Sequence, residues 1–227
     1  IPSALSFVAG VVARVLDAGK RMNSNWSNSD SAGLVSEFLE LLPESTKRVV
    51  RLASIPNAIN SDIIQKMIGE QINVTNILKT LQQYYFLNKG EGDWYYFSIN
   101  VREVLRAFWK QPEQTDEFQK ANHILIAYFD DRAKKTNPPG NYTFQREALY
   151  HRLLEDENMG LEYMADLFEQ ACDQRQIGAA QNLSIQLTQT MPQLSTIAGQ
   201  YASYYEMRLD FMLNRRNNLD ENLEVLT

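Results

Sequence analysis

The chain has 227 residues, 44% hydrophobic and 22% charged, with ten glycines, seven prolines and a formal net charge of −6. That composition fits a soluble globular protein of one to three small domains with a real core, and it excludes fibrous and low-complexity classes. The longest apolar candidate, ALSFVAGVVA, meets Arg14 at once, so no run reaches the roughly 20 residues of a membrane-spanning helix. No membrane partner and a cytoplasmic location are expected.

The opening IPSALSFVAGVVARVLDAGKRM lacks the basic n-region of a signal peptide. It places Leu5, Val8, Val12, Val15 and Leu16 at helical spacing, with Pro2 suited to a first turn. A start on IPS and a close on DENLEVLT, which reads like the middle of a helix, are expected of a piece of a longer protein. NSNWSNSDSAG follows as a polar loop whose Asp30 or Ser31 would cap the helix LVSEFLELL. Residues 1–43 therefore read as a helical subdomain.

From residue 44 the order changes. ESTKRVVRLASI after Pro43, SDIIQKMIGE and NVTNILKTLQQYY predict three short helices, with Ser61 and Asn73 as N-caps. YYFLN and WYYFSI predict two strands around KGEGD, where Gly90 and Gly92 would supply the positive φ of a tight turn. Three helices and a hairpin are the order of a winged helix, assigned to residues 44–111. Beyond it, helical stretches separated by TNPPGN, DENMG and TMP predict a stack of antiparallel helices over residues 112–227. In that stack YASYYEMRLDFMLNRRNNLDENLEVL has the layout of one tetratricopeptide-like helix pair. The expected fold is mainly α: helical subdomain, winged helix with a two-stranded hairpin, then stacked helices.

Few residues carry chemistry. The single cysteine, Cys172, excludes an internal disulfide, and its setting in LFEQACDQR predicts a buried structural thiol. His123 and His151 lack neighbours at metal-ligand spacing and are read as inter-helix hydrogen-bonding groups. Glu155, Asp156 and Glu157 lack the Gly and Asp pattern of an EF-hand and read as a solvated turn. The aromatic residues of the hairpin read as core rather than as stacking platforms for bases. No metal, cofactor or catalytic residue is assigned, and the chain is not expected to be an enzyme.

Three stretches together resemble one family, the STAND class of signal-transduction ATPases, in the region after the nucleotide-binding core. YYFSINVREVLRAFW is similar to the end of the family's winged helix, and EALYHRLLEDENMG to the start of the helical repeats that follow it. IPSALSFVAGVVARVL resembles the helical lid that begins with a Gly-x-Pro motif, with Pro2 in the proline position. The resemblance implies a regulatory segment whose winged helix docks on an upstream nucleotide-binding domain and whose repeats hold an unidentified protein or small-molecule ligand. It also implies that ATP or ADP belongs to the longer parent, because this chain has no GxxxxGK[ST] loop. Pro2 and Ser98 would then be the nucleotide-contacting positions. Ser98 stands four residues before Arg102, where the family often carries a phosphate-sensing His, and it brings no positive charge.

The rival reading is a winged-helix transcription regulator with a helical dimerisation or effector domain. It would use Asn73, Asn76, Gln82 and Gln83 on base edges, Lys79 and Lys89 on phosphates, and a basic face completed by Lys47, Arg48 and Arg51. Charge argues against it. Residues 60–97 hold three Lys against four Asp or Glu, and residues 112–227 hold ten basic against eighteen acidic side chains, so phosphate neutralisation offers little drive and DNA is not the expected partner.

Overall fold

The computed structural model describes residues 28–40, 42–69, 73–83, 86–138 and 140–214. The predicted N-terminal helix with Pro2, and the second half of the C-terminal helix pair, lie outside the described residues. Within them the fold is mainly α, with one two-stranded antiparallel hairpin among the early helices and stacked antiparallel helices after it. Contacts divide the chain into two units, residues 1–121 and 122–227, where the sequence pattern changes at 111/112.

In the first unit, helix α1 spans Asn28–Glu40, α2 Glu44–Ala53, α3 Ser61–Ile68 and α4 Val74–Gln83. Strands β1 (Leu87–Lys89) and β2 (Tyr95–Phe97) follow, then α5 (Ile99–Trp109) and a 3-10 turn at Pro112–Gln114. Because α1 begins at Asn28, Asp30 and Ser31 lie inside its first turn rather than ahead of it. Helix α1 packs on α5, buries Val35 and Phe38, and sets Phe38 edge-on against Phe86 at 4.7 Å. Val49, Leu52, Ile63, Ile64, Leu78, Leu81, Val101 and Leu105 fill the centre.

The cap of α3 sits one residue earlier than its sequence predicts. Asn60 is extended, and its side chain accepts from the Ile63 N–H at 2.9 Å, while Ser61 is already helical. Asn73 does cap, accepting from the Asn76 N–H at 3.1 Å.

In the hairpin, Leu87 pairs with Phe97 and Lys89 with Tyr95. Gly92 has φ +62°, which a side chain would strain. Gly90 has no positive φ. A Cβ there would meet the exposed Tyr96 ring, which would have to turn aside. Tyr95 also exchanges two backbone bonds with Ile59, at 2.9 and 2.8 Å, so a single residue ahead of α3 extends the sheet.

Helix α6 spans Thr115–Lys134, and the division between the units falls within it. The second unit continues with α7 (Asn141–Glu155), α8 (Glu157–Asp173), α9 (Ile177–Thr190), a 3-10 turn at Met191–Gln193 and α10 (Thr196–Met212). Its core runs through Leu149, Leu153, Met164, Phe168, Leu183, Leu187, Tyr205 and Leu209. One residue, Asp156, joins α7 to α8, and its carboxylate caps α8 through the Met159 N–H. So short a link forces the two helices together. Gly160 permits it: a Cβ there would lie 2.7 Å from the Leu153 Cα and backbone N.

Two glycines of this unit should therefore respond to alanine with opposite signs. Gly160→Ala pushes α8 off α7 and should cost about 1–3 kcal/mol. Gly178, in α9, has open space where its Cβ would be, so Gly178→Ala should stabilise by about 0.5–1 kcal/mol. Urea unfolding of the two variants measures both.

Candidate functional site

Helix α5 carries Arg102, Arg106 and Trp109 at i, i+4 and i+7, on one face. Arg106 donates to the carbonyls of Ser54, at 3.2 Å, and Ile55, at 2.8 Å. The Trp109 indole N–H is shared between the Arg51 carbonyl, at 3.1 Å, and the Ser54 hydroxyl, at 3.3 Å. Arg102 donates to the Asn57 side chain. These three residues thus serve the buried segment that leaves the C-terminus of α2.

The cations proposed for a basic face are engaged in the same unit. Lys47 pairs with Glu44 at 2.6 Å, and Arg48 with Glu117 at 2.7 Å. The Arg51 guanidinium lies over the Phe108 ring at 3.9 Å. Arg48, Arg51, Phe108 and Glu117 line a groove of about 440 Å³ in which each positive charge has a partner of opposite charge or an aromatic face. Lys79 on α4 and Lys89 on β1 are exposed and hold no ion pair among the described residues. Asn73 is committed to its cap, Asn76 and Gln82 are exposed near Lys79, and the Gln83 side chain lies outside the described ones.

Ser98 stands at the N-cap of α5 without making a cap bond. Its hydroxyl is covered by protein and has no hydrogen-bond partner among the described residues, so in this rotamer it cannot meet a phosphate from outside. Pro2, the other position implied by the resemblance, lies outside the described residues.

In the second unit every polar residue singled out by sequence has a structural partner. His151 is fully buried with Nδ1 2.8 Å from Asn122 Oδ1, and its ring stacks on Phe129 at 5.8 Å. Since Oδ1 accepts only, Nδ1 carries the proton. Exposed His123 faces Glu155 at 3.3 Å. Asp156 caps α8, and Glu157 accepts from the Ser195 N–H at 2.9 Å and from its hydroxyl at 2.5 Å. The acidic triplet is thus a set of joints between helices, and no cluster able to hold a metal ion occurs among the described residues. Cys172 is partly buried, with Sγ 3.7 Å from Met212 Sδ, and burial pushes its thiol pKa up. Burial also raises the Tyr163 phenol, to about 12, along with those of Tyr142 and Tyr205. All three remain protonated donors at neutral pH.

The feature that sequence reading missed is the outer side of α10. Ala198, Ala202, Tyr205 and Leu209 face the core. Ile197, Tyr201, Tyr204, Phe211 and Met212 are exposed, Phe211 at 79%. The two sets lie one residue apart along the helix, so α10 is apolar over about half its circumference or more, wider than one buried face requires. The signal was present as two interleaved 3.6-residue patterns. Arg208 sits in the exposed stripe, held by Glu169 and lying over Phe168 and Tyr204 at 5.4 and 5.7 Å.

Comparison of the chain with known protein families, characterised proteins and solved structures returns no match. No helix among the described residues is long and apolar enough to cross a membrane.

The covered Ser98 hydroxyl leads to an inverted cap test. An N-cap Ser or Asn that bonds its helix loses about 0.5–2 kcal/mol on change to alanine, and Asn60→Ala should show that loss. Ser98→Ala removes only an unpaired buried hydroxyl, so it should leave stability unchanged or slightly raised. Denaturation midpoints at constant m-value check both.

Proposed function

We propose that this chain is a non-catalytic regulatory and interaction segment of a cytoplasmic STAND-type signalling ATPase. Its winged-helix unit would dock on an upstream nucleotide-binding domain, and its helical stack would carry a partner surface. ATP or ADP would bind in the parent protein. The observation that carries the reading is the internal use of the first unit's cations. Arg102 and Arg106 serve the loop after α2, while Lys47 and Arg48 are paired with carboxylates and Arg51 with a ring. A reader of DNA grooves needs such side chains free to neutralise phosphates, since affinity rises with the number neutralised.

The stripe on α10 supports the partner surface. Tyr, Phe, Met and Arg are the residues enriched at protein interfaces, and here they form one continuous row. The occupant we propose is an amphipathic helix of a partner protein, which would lay its apolar face along this row.

The alternative, a DNA-binding regulator, rests on exposed Lys79 and Lys89. A salt titration of binding to a duplex library separates the readings. The proposal expects affinity no tighter than the non-specific range of roughly 10⁻⁴ M, equal in wild type, Lys79→Ala and Lys89→Ala. Submicromolar binding to a selected sequence, lost in those variants and falling steeply with salt, would replace this reading with the regulator.

A further inference from the structure

The exposed row on α10 has the spacing of a helix-pairing seam. Ile197, Tyr201, Tyr204, Arg208 and Phe211 follow one another at steps of four, three, four and three residues, the alternation that sets side chains between two paired helices. At about 100° per residue these five share one stripe, and the core residues Ala198, Ala202, Tyr205 and Leu209 form a separate stripe beside it. Glu206 and Asp210, the acidic residues of α10, are turned away from the seam by the same count. We propose that the seam is the interface of a homodimer, in which α10 of a second copy lies antiparallel along it. This rests on the reading of the row as a partner surface and names the partner. It holds with or without DNA binding, so the titration above and the measurement below can fail separately.

Charge selects both the place and the direction of pairing. Residues 112–227 hold ten basic against eighteen acidic side chains, so two copies carry like net charge and must meet where it is locally absent. The row meets that condition. Its one charged group, Arg208, is held by Glu169, and α9, which packs beside α10, contains no charged residue. A parallel pair would set Arg208 against Arg208 of the second copy. An antiparallel pair, with its twofold axis between Tyr204 and Arg208, sets each Arg208 against Tyr204 of the second copy and each Tyr201 against Phe211.

That match is what a symmetric contact demands, since each residue must suit its counterpart on the same surface. The Arg208 guanidinium already lies over its own Tyr204 ring at 5.7 Å, and a second Tyr204 would hold it between two aromatic faces. Tyr201 and Phe211 would form ring pairs at the two ends. The exposed side chains of the row offer roughly 500 Å² a copy, so a symmetric pair reaches the order of 1,000 Å² at which specific interfaces begin. So small an interface makes the dimer reversible, with an expected dissociation constant on the order of 10 µM.

Sedimentation equilibrium on the whole chain, from about 1 to 200 µM, measures that equilibrium. Tyr201→Lys and Phe211→Glu should each weaken dimerisation by about tenfold or more. The double variant should recover most of the loss, because antiparallel pairing sets the new ammonium against the new carboxylate at both ends. Both positions are exposed, and circular dichroism checks that the variants fold. A chain that stays monomeric at about 200 µM would overturn the proposal and assign the row to another occupant, a helix of a different protein or residues 215–227. A dimer unchanged by either single variant, or a double variant no better than the singles, would also overturn it.

Discussion

The first unit depends on one constraint: the loop from Ser54 to Asn60 is buried, and its backbone must find partners. Ser54, Ile55, Pro56, Ile59 and Asn60 are all shut off from solvent. Connecting segments usually stay at the surface because water satisfies their peptide groups there. Here α5 takes the place of water. Arg106 covers the carbonyls of Ser54 and Ile55, Trp109 covers that of Arg51, and Arg102 holds Asn57. At the far end of the loop Ile59 pairs with Tyr95 in the hairpin, and Asn60 caps α3. Four elements, α2, α3, α5 and β2, thus meet along one segment, and the cations that achieve this are unavailable to a polyanion.

The second unit solves its packing by a different route. Its helices are close neighbours in sequence, so acidic residues at their junctions become caps and ties: Asp156 starts α8, and Glu157 fixes Ser195, which itself caps α10 by accepting from the Ile197 N–H at 3.2 Å. At the α8 to α9 turn Arg175 takes φ +56°, and the Gln176 N–H reaches back to the Ala171 carbonyl at 2.8 Å, closing the helix end where glycine is the usual choice. The last described helix of the unit is α10, on which Ile197, Tyr201, Tyr204, Phe211 and Met212 are exposed.

Much of this was legible in the sequence, and the remainder was hidden for identifiable reasons. The switch from a 3.6-residue to a 2-residue pattern near Tyr85, with glycines at 90 and 92, located the hairpin and its turn. The separate roles of those glycines were not legible, because the clash at Gly90 comes from Tyr96 on the opposite strand. Asn60 and Ser61 are both good caps, and only tertiary placement decides between them. The Ile59 bridge is one residue long and has no pattern. Arg102, Arg106 and Trp109 share a helix face that a reader of amphipathicity assigns to solvent, since nothing local reveals a buried loop behind it. His151 was read correctly as an inter-helix hydrogen-bonding group because its neighbours Ala148, Leu149 and Leu153 are apolar.

The claim that α5 holds the first unit together by serving the buried loop is measured by native-state amide hydrogen exchange on Arg106→Leu. The claim predicts a loss of about 2 kcal/mol or more, because two buried carbonyls lose a charged donor. Protection should fall together in α2, at Ile59 and in the paired strands 87–89 and 95–97, which share that loop. A loss below about 0.5 kcal/mol, or exchange that quickens only at residues 54–55, would contradict it.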